Sequence, residues 1–461
     1  MNSQELLDVI SDLANEFGVP GVAAGLWCEG RATYACHGVT SMENPLPIHE
    51  HTLFQAGSIG KNFTATALIL LAADGRVDLE APVGRYLPDL QLNDKAVDGR
   101  ITLRHLLNHT AGFEGDFFPD TGDGDDALAR FVLRMNELEQ LTPPGAVFSY
   151  NNAAFCLAGR IIEKLTGNTY EAAIRKLLLE PLGLRESFFF RDQVMTRRFV
   201  VGHKPSEGGA LQVARPWALP RNGAPAGGVV TSVSDLLAWA RFHLGELPDG
   251  HGLQQLTASR LAAMREPTVH MPGCGFGDAF GLGWFLVKVG DTWLVNHGGS
   301  TNGQEASLSL LPEQNWALAL LTNSSPGGLA FCEAARARVL SECTGLAQDE
   351  AEAVPASTEE LTAYEGEYRA CGMHCRVTAG YSGNLLFTVY DDPELLPLMF
   401  EEQPVARAES STLEAGLVQG HADRYVFAGG QVKGITGYFE RGNDERVQAV
   451  HLFGRRLPRL Q

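Results

Sequence analysis

The sequence predicts a mixed α/β (α+β) region over residues 1–348 followed by a small antiparallel β-barrel over residues 359–461. Three observations carry this. Apolar residues recur at helical spacing in several long segments, and short β-type runs are interleaved with them. The segment 349–358, Asp-Glu-Ala-Glu-Ala-Val-Pro-Ala-Ser-Thr, loses that periodicity and gains charge, Ala and Pro, which marks a linker. Beyond it the apolar runs become short and alternating, with Gly, Asn and Asp between them, as in an antiparallel barrel or sandwich.

In chain order, Leu6, Val9, Ile10, Leu13 and Phe17 predict an amphipathic first helix, and Val22–Trp27 predicts a strand. Helices are predicted over Asn62–Asp74, Asn151–Leu165, Tyr170–Leu178 and Ser234–Leu244, with a strand at Ala306–Leu311. In the C-terminal part the predicted strands are Tyr364–Tyr368, Leu385–Tyr390, Tyr425–Phe427, Gln431–Phe439 and Val447–Phe453.

The chain of 461 residues is 44% hydrophobic and 20% charged, within the globular range, so a disordered or collagen-like protein is excluded. Its net charge of 36 − 55 = −19 repels phosphate, so neither nucleic acid nor an anionic membrane is expected as a partner. Met1 to Glu5 has no basic stretch and no continuous apolar run follows, so no secretory signal is read and a cytoplasmic location is expected. Eight scattered cysteines suit reduced thiols rather than a disulfide framework. Cys371, His374 and Cys375 invite a zinc reading, but no second ligand pair accompanies them, and no metal or cofactor is expected.

Three segments carry chemistry. In Ser58-Ile59-Gly60-Lys61 the serine opens a helix and the lysine three residues on shares its face, so the amine can reach the hydroxyl. Serine is inert without a base, and a buried lysine of lowered pKa can supply one. Alone the motif is weak, since this composition yields on the order of 0.3 such pairs by chance. In Tyr150-Asn151-Asn152 a phenol beside a cationic amine can lose its proton more easily, and the Asn152 amide offers donor and acceptor to a substrate amide. Taken singly it also fits a surface tyrosine in a turn. His297-Gly298-Gly299-Ser300 follows the strand-like Thr292–Val295; its glycines let a ligand backbone approach and an N–H beyond them can face an oxyanion, although a plain β-turn has the same composition.

S-x-x-K, Y-x-N and a third motif on a strand, in this order, resemble the serine β-lactamase and penicillin-binding-protein superfamily, in particular its class C-like branch. Leu106-Leu107-Asn108-His109-Thr110-Ala111-Gly112, Pro181-Leu182-Gly183-Leu184, Ala226-Gly227-Gly228-Val229 and Phe280-Gly281-Leu282-Gly283-Trp284 match further landmarks, so the resemblance spans about residues 5–345. It implies Ser58 as the acylated nucleophile, Lys61 and Tyr150 sharing the proton transfers, Asn152 orienting the substrate amide, and the backbone N–H groups of Ser58 and Ser300 as oxyanion donors. His297 stands where penicillin-recognising members carry the lysine of K-T-G. A histidine is mostly neutral at pH 7, so a penicillin carboxylate loses its anchor and efficient β-lactamase activity is not expected. H-x-G here resembles D-aminopeptidases and the penicillin-binding-protein-type thioesterases that cyclise nonribosomal peptides. Such relatives often carry a C-terminal barrel of lipocalin type, which fits 359–461.

The acidic run from Glu114 to Asp126 reads first as a solvated rim loop with an N-cap for the helix that follows; the sharper reading places Asp116, Asp120 or Asp123 at the cleft to meet a substrate ammonium, with Phe117 and Phe118 lining the pocket. The barrel is expected to dock near the cleft mouth and to add wall from turns around Tyr381, Tyr390 or Tyr438. The expected function is therefore a serine acyl-enzyme hydrolase or acyltransferase. Its substrate would be a small peptide or acyl-peptide, free or carrier-protein-bound, with amide or thioester linkage and D-configured or nonribosomal residues. Gly298 and Gly299, with Asp116 and Phe117, would contact it. A carboxylesterase of the same fold uses the same residues, and a catalytically idle peptide-binding protein is the non-enzymatic rival. An α/β-hydrolase elbow at Ala56–Gly60 would leave Lys61 and Tyr150 without roles.

Overall fold

A computed structural model describes every residue except 98, 207, 247–252, 371, 392–409, 422 and 461. Cys371 of the zinc reading lies outside the described residues; Cys375 is sealed in the barrel interior while His374, on the other face of the strand, pairs with Glu367 at 2.7 Å.

An antiparallel sheet of eight strands runs in the spatial order Arg31–Gly38, Gly21–Cys28, Trp316–Thr322, Gln304–Leu311, Thr292–Thr301, Phe285–Val289, Gly277–Phe280, Val269–Cys274. Gln304–Leu311 and Trp316–Thr322 are buried throughout, as central strands covered on both faces must be. One face is covered by helices Ser3–Glu16 and Gly327–Thr344 through Leu6, Val9, Ile10, Phe331 and Val339. The first of these starts with a capping box in which Asn2 accepts from Gln4 and Glu5 while Glu5 accepts from the Asn2 N–H. The other face packs on helix Val233–Leu244 and, beyond it, on helices Gly60–Ala73 and Asn152–Thr166, with Phe63 stacked on Trp239 at 3.9 Å.

Helix Gly60–Ala73 is buried from Gly60 through Leu71, so its sequence is apolar on all sides rather than striped. Helix Asn152–Thr166 is set by Asn151, whose side chain caps the Ala154 N–H, and is closed by Gly167 at φ +68°. The helix read over Tyr170–Leu178 is α-helical only to Ile174 and continues as a wider π-type turn over Arg175–Leu179. Asp126 does not cap the helix Ala127–Leu133; its carboxylate pairs instead with Arg130 one turn on, which leaves the cap bond unmade.

The C-terminal strands form a nearly closed antiparallel barrel in which sequential strands from Gly366–Ala370 to Arg455–Pro458 are neighbours. Tyr368 bridges to Arg459 and the Leu460 N–H donates to the Glu367 carbonyl, which brings the first and last strands together. Tyr368, Phe387, Tyr425, Phe427 and Phe439 fill the interior. The strand read over Gln431–Phe439 starts only at Thr436, because Gly430 (φ +68°) and Gly434 (φ +83°) turn the chain before it. Ala353–Val354, within the span read as a linker, pairs with Val418 and Leu417.

The barrel meets the larger region through the hairpin turn Phe453–Arg455 and through Arg424 and Ile435–Thr436, which pack on Gly273 and Gly275; it lines the Ser58 cavity with Arg455, and none of Tyr381, Tyr390 and Tyr438 is among the lining residues. Tyr381 is fully exposed, Tyr438 stacks on His451 at 3.9 Å, and Tyr390 lies against His374. The Gly454 carbonyl accepts the Tyr150 N–H at 2.9 Å, and Arg455 donates to both oxygens of Asp116, at 2.9 and 3.4 Å.

Two contacts set the position of the Ser58 turn. Gly57 has φ +52°, and a Cβ there would lie 2.8 Å from the Ser300 nitrogen; a Cβ at Gly299 would lie 1.9 Å from the Ala56 carbonyl oxygen. The 56–58 backbone thus rests directly on strand 299–300 with no side chain between. Gly299→Ala is expected to push the Ser58 turn off the strand, abolishing reaction with a fluorophosphonate; labelling at the native rate would contradict this. Arg455→Ala strands the half-buried Asp116 carboxylate, expected to cost about 2–5 kcal/mol and read as a lowered Tm in thermal unfolding.

Candidate active site

Ser58 lies in the short turn Gly57–Ile59 that opens into helix Gly60–Ala73, one turn before Lys61. The Lys61 ammonium position is fully buried, with Nζ 3.1 Å from Ser58 Oγ, 2.7 Å from Asn152 Oδ1 and 2.7 Å from the Ala226 carbonyl oxygen. Burial lowers its pKa to about 7, and the charge of Arg455 acts in the same direction. Near neutrality the Lys61 amine can therefore give up its proton and turn a lone pair toward Ser58.

Tyr150 hydrogen-bonds Ser58 from the other side, and its ring lies 4.8 Å from Lys61 Nζ. Its pKa is raised, chiefly by burial, against the expectation that the neighbouring amine would make the phenol acidic. Desolvation outweighs the Ser58 hydrogen bond and the Arg455 field, both of which act in the other direction. Tyr150 is a protonated phenol held between Ser58 and its surroundings. Behind it His109, at φ +60°, stacks on the ring at 4.4 Å and accepts the Asn151 N–H through Nδ1 at 2.8 Å.

Asn152 accepts from Lys61 and donates through Nδ2 to Asp116 Oδ1 at 2.6 Å, which fixes its amide orientation. Asp116 is thus matched by Arg455 and Asn152 within the protein, not held for a substrate ammonium. Asp120 accepts the Gly122 N–H and Asp123 faces Arg191 at 3.9 Å. Phe117 is buried against Phe131, and with Phe118 it lines the cavity over Ser58.

His297, Gly298, Gly299 and Ser300 lie within strand Thr292–Thr301 rather than in a turn, paired with Leu308, Ser307, Ala306 and Glu305. Burial, reinforced by Lys61, lowers the His297 pKa to about 3, so the ring is neutral. Its Nδ1–H donates to the Gly298 carbonyl at 2.6 Å, which leaves Nε2 as a buried acceptor without a partner among the described residues. Ser300 lines the cavity beside Ser58, and its hydroxyl donates to Glu305 at 2.9 Å.

The cavity holds about 380 Å³ and brings together Ser58, Tyr150, Asn152 and Ser300. Sequence reasoning did not single out Arg455, Lys204 or Cys156, which share its wall. Cys156 is one turn past Asn152 on a helix already located, so its place could have been read from the helical repeat. Arg455 and Lys204 have no local signal. A serine hydroxyl with a buried amine of lowered pKa at hydrogen-bond distance is an activated nucleophile, and a phenol on its other side can pass a proton onward.

The comparisons agree with this arrangement. The family model described as Beta-lactamase matches residues 6–341. Penicillin-binding protein 4 of Amycolatopsis lactamdurans is 33% identical over 357 residues, covering 76% of this chain and 92% of that protein. The crystal structure of SurE is similar over 99% of both chains at 27% identity and a TM-score of 0.77, and that of SurE with D-Leu over the same share at 28% and 0.72. The chain belongs to the beta-lactamase family, with a penicillin-binding-protein-like fold whose members are generally serine hydrolases working through an acyl-enzyme.

Proposed function

We propose that this protein transfers the acyl group of a peptide-like amide or thioester, carrying a D-configured residue at the acyl carbon, through an ester on Ser58. The observation that carries the reading is the Lys61 amine, fully buried and 3.1 Å from Ser58 Oγ, behind a serine that lines a cavity large enough for a peptide terminus. The free amine takes the Ser58 proton as Oγ attacks the carbonyl carbon. The backbone N–H groups of Ser58 and Ser300, brought side by side by Gly57 and Gly299, take the developing oxyanion. Collapse expels the leaving amine or thiolate, which receives its proton by way of Tyr150, and Asn152 holds the substrate amide. Water or an amine then attacks the acyl-Ser58 ester along the same path in reverse, giving hydrolysis or, with the acyl donor's own amine, a cyclic peptide. Support for the D-residue comes from the 28%-identical structure described as SurE with D-Leu. The neutral His297, in place of a permanent cation, supports acyl donors other than penicillins.

The test is mass spectrometry of the protein with peptide thioesters and anilides ending in D- or L-residues. An adduct on Ser58 with D-donors and none with Ser58→Ala is expected; an adduct of equal rate on Ser58→Ala, or equal rates for D- and L-donors, would overturn the corresponding part. Lys61→Ala and Tyr150→Phe should each slow acylation about 10²–10⁴-fold, and less than additively in combination. The amine must be unprotonated to act, so acylation is expected to rise with pH through about 7 and to fall roughly tenfold per unit below that. A flat stopped-flow acylation profile from pH 5 to 8 would remove Lys61 as the base.

A further inference from the structure

In the acyl-transfer mechanism the oxyanion is met by two backbone N–H groups, those of Ser58 and Ser300, and an N–H kept for an oxyanion cannot also bond within the sheet. The Ser300 nitrogen and carbonyl oxygen both face the Ser58 turn: a Cβ at Gly57 would lie 2.8 and 2.9 Å from them. In an antiparallel ladder a residue whose N–H and C=O both turn outward makes no backbone bond to the residue opposite it, and the two side chains come close instead. The residue opposite Ser300 is Glu305. The Ser300 hydroxyl donates to Glu305 Oε1 at 2.9 Å, so a side chain makes the link that the backbone does not.

Glu305 is itself held in place. It is buried at the start of strand Gln304–Leu311, where the same oxygen accepts the Ser325 hydroxyl at 2.6 Å and its backbone carbonyl accepts the Thr322 hydroxyl at 3.1 Å. A Cβ at Gly328 would lie 3.2 Å from the Glu305 Cβ, so the first turn of helix Gly327–Thr344 packs directly against it. Burial pushes the Glu305 pKa up to about 7, against the two hydroxyls and the charge of Lys204, which act to lower it. Its neighbour Gln304 points to the opposite face, as successive residues of a strand must. There Gln304 Oε1 accepts the Gln55 N–H at 2.9 Å, three residues before Ser58. That is the one hydrogen bond of this buried side-chain amide among the described residues, since its Nε2 has no partner there.

We propose that Gln304 and Glu305 are positioning residues of the oxyanion site: from opposite faces of the sheet, Gln304 holds the turn that carries the Ser58 N–H and Glu305 holds the residue that carries the Ser300 N–H. This rests on the acyl-transfer reading above. Neither side chain is among those lining the cavity over Ser58, so both act at one remove. Two adjacent residues of one strand thereby set the separation of two donors, and a tetrahedral oxyanion needs each donor within about 2.7–3.1 Å. The hold is needed in the transition state and not for substrate to enter, so its loss lowers kcat rather than raising KM.

The experiment uses the full chain and a thioester of an acetyl-capped dipeptide ending in D-Leu, with active sites counted by fluorophosphonate labelling of Ser58 taken to completion. Glu305→Met keeps the length of the side chain and removes the acceptor, and Ser300→Ala removes the hydroxyl while leaving the N–H. Each is expected to lower kcat per labelled site at least tenfold with KM within threefold of native. The double variant should fall no more than threefold further, because both changes break one contact. Glu305→Gln, which keeps an acceptor oxygen, should stay within threefold of native. Gln304→Met should lower kcat at least tenfold, again with KM within threefold. A merely structural role would reduce the number of labelled sites or the Tm and leave kcat per site unchanged. A fall of less than tenfold in Glu305→Met, or a loss that multiplies in full with that of Ser300→Ala, overturns the Glu305 assignment; a fall of less than tenfold in Gln304→Met overturns that of Gln304. Should Glu305→Met not fold, Ser300→Ala decides alone, since native kcat in that variant leaves the Glu305 carboxylate nothing to act through. Failure of the native protein to form an acyl-Ser58 adduct overturns the acyl-transfer reading and both assignments with it.

Discussion

A primary amine with no exposed surface must find a counterion or give up its proton, and Lys61 is given no carboxylate in direct contact. Its three partners are a hydroxyl, an amide oxygen and a backbone carbonyl, all of them neutral. Desolvation therefore decides its protonation, and the surrounding structure exists largely to keep water out: helix Gly60–Ala73 is buried on every side, and Phe155 and Tyr150 lie over the amine at 5.6 and 4.8 Å. The same burial explains the rest of the local titration. Tyr150 stays protonated, and His297 and His109 stay neutral, because a charge on any of them would sit in the same dry volume.

The C-terminal barrel is part of this seal. Its Gly454 carbonyl takes the Tyr150 N–H, its Arg455 guanidinium lies 4.7 Å over the Tyr150 ring, and Arg455, Asp116, Asn152 and Lys61 form one continuous hydrogen-bonded chain. Asp116 compensates Arg455 and leaves Lys61 a neutral amide as neighbour. Had the carboxylate touched Lys61 directly, the amine would be an ammonium with no lone pair for Ser58.

What the sequence could show follows the range of the interactions. Ser58 and Lys61 are three residues apart on one helix, and Asn151 and Asn152 open another, so local geometry alone places them. The strand holding His297 to Ser300 could be mistaken for a turn because its glycines serve a contact, the approach of the Ala56 carbonyl to Gly299, that no local pattern encodes. The pairing of Asp116 with Arg455 spans 339 residues, and an arginine in a hairpin turn has the same local sequence whether it meets solvent or a cleft. The acidic run was visible, but which of its carboxylates turns inward depends on where the barrel lands. Tyr381, Tyr390 and Tyr438 misled for the same reason: aromatic turns are common, and the turn that reaches the cavity is the one whose Gly454, at φ +75°, leaves room for the Phe276 ring 3.0 Å from where its Cβ would lie.

The charge distribution ties these points together. Excess acidic residues spread over the surface give the molecule its −19, while the cavity over Ser58 is walled by apolar groups and by Lys204 and Arg455. Surface charge is screened within roughly 8–10 Å at ordinary ionic strength, whereas charge inside a dry cleft is not. Arg455 also assists the nucleophile without touching it, because its field disfavours a further positive charge on Lys61. Burial and Arg455 therefore act together: the dry setting removes most of the lysine's affinity for a proton, and the paired guanidinium lowers it further.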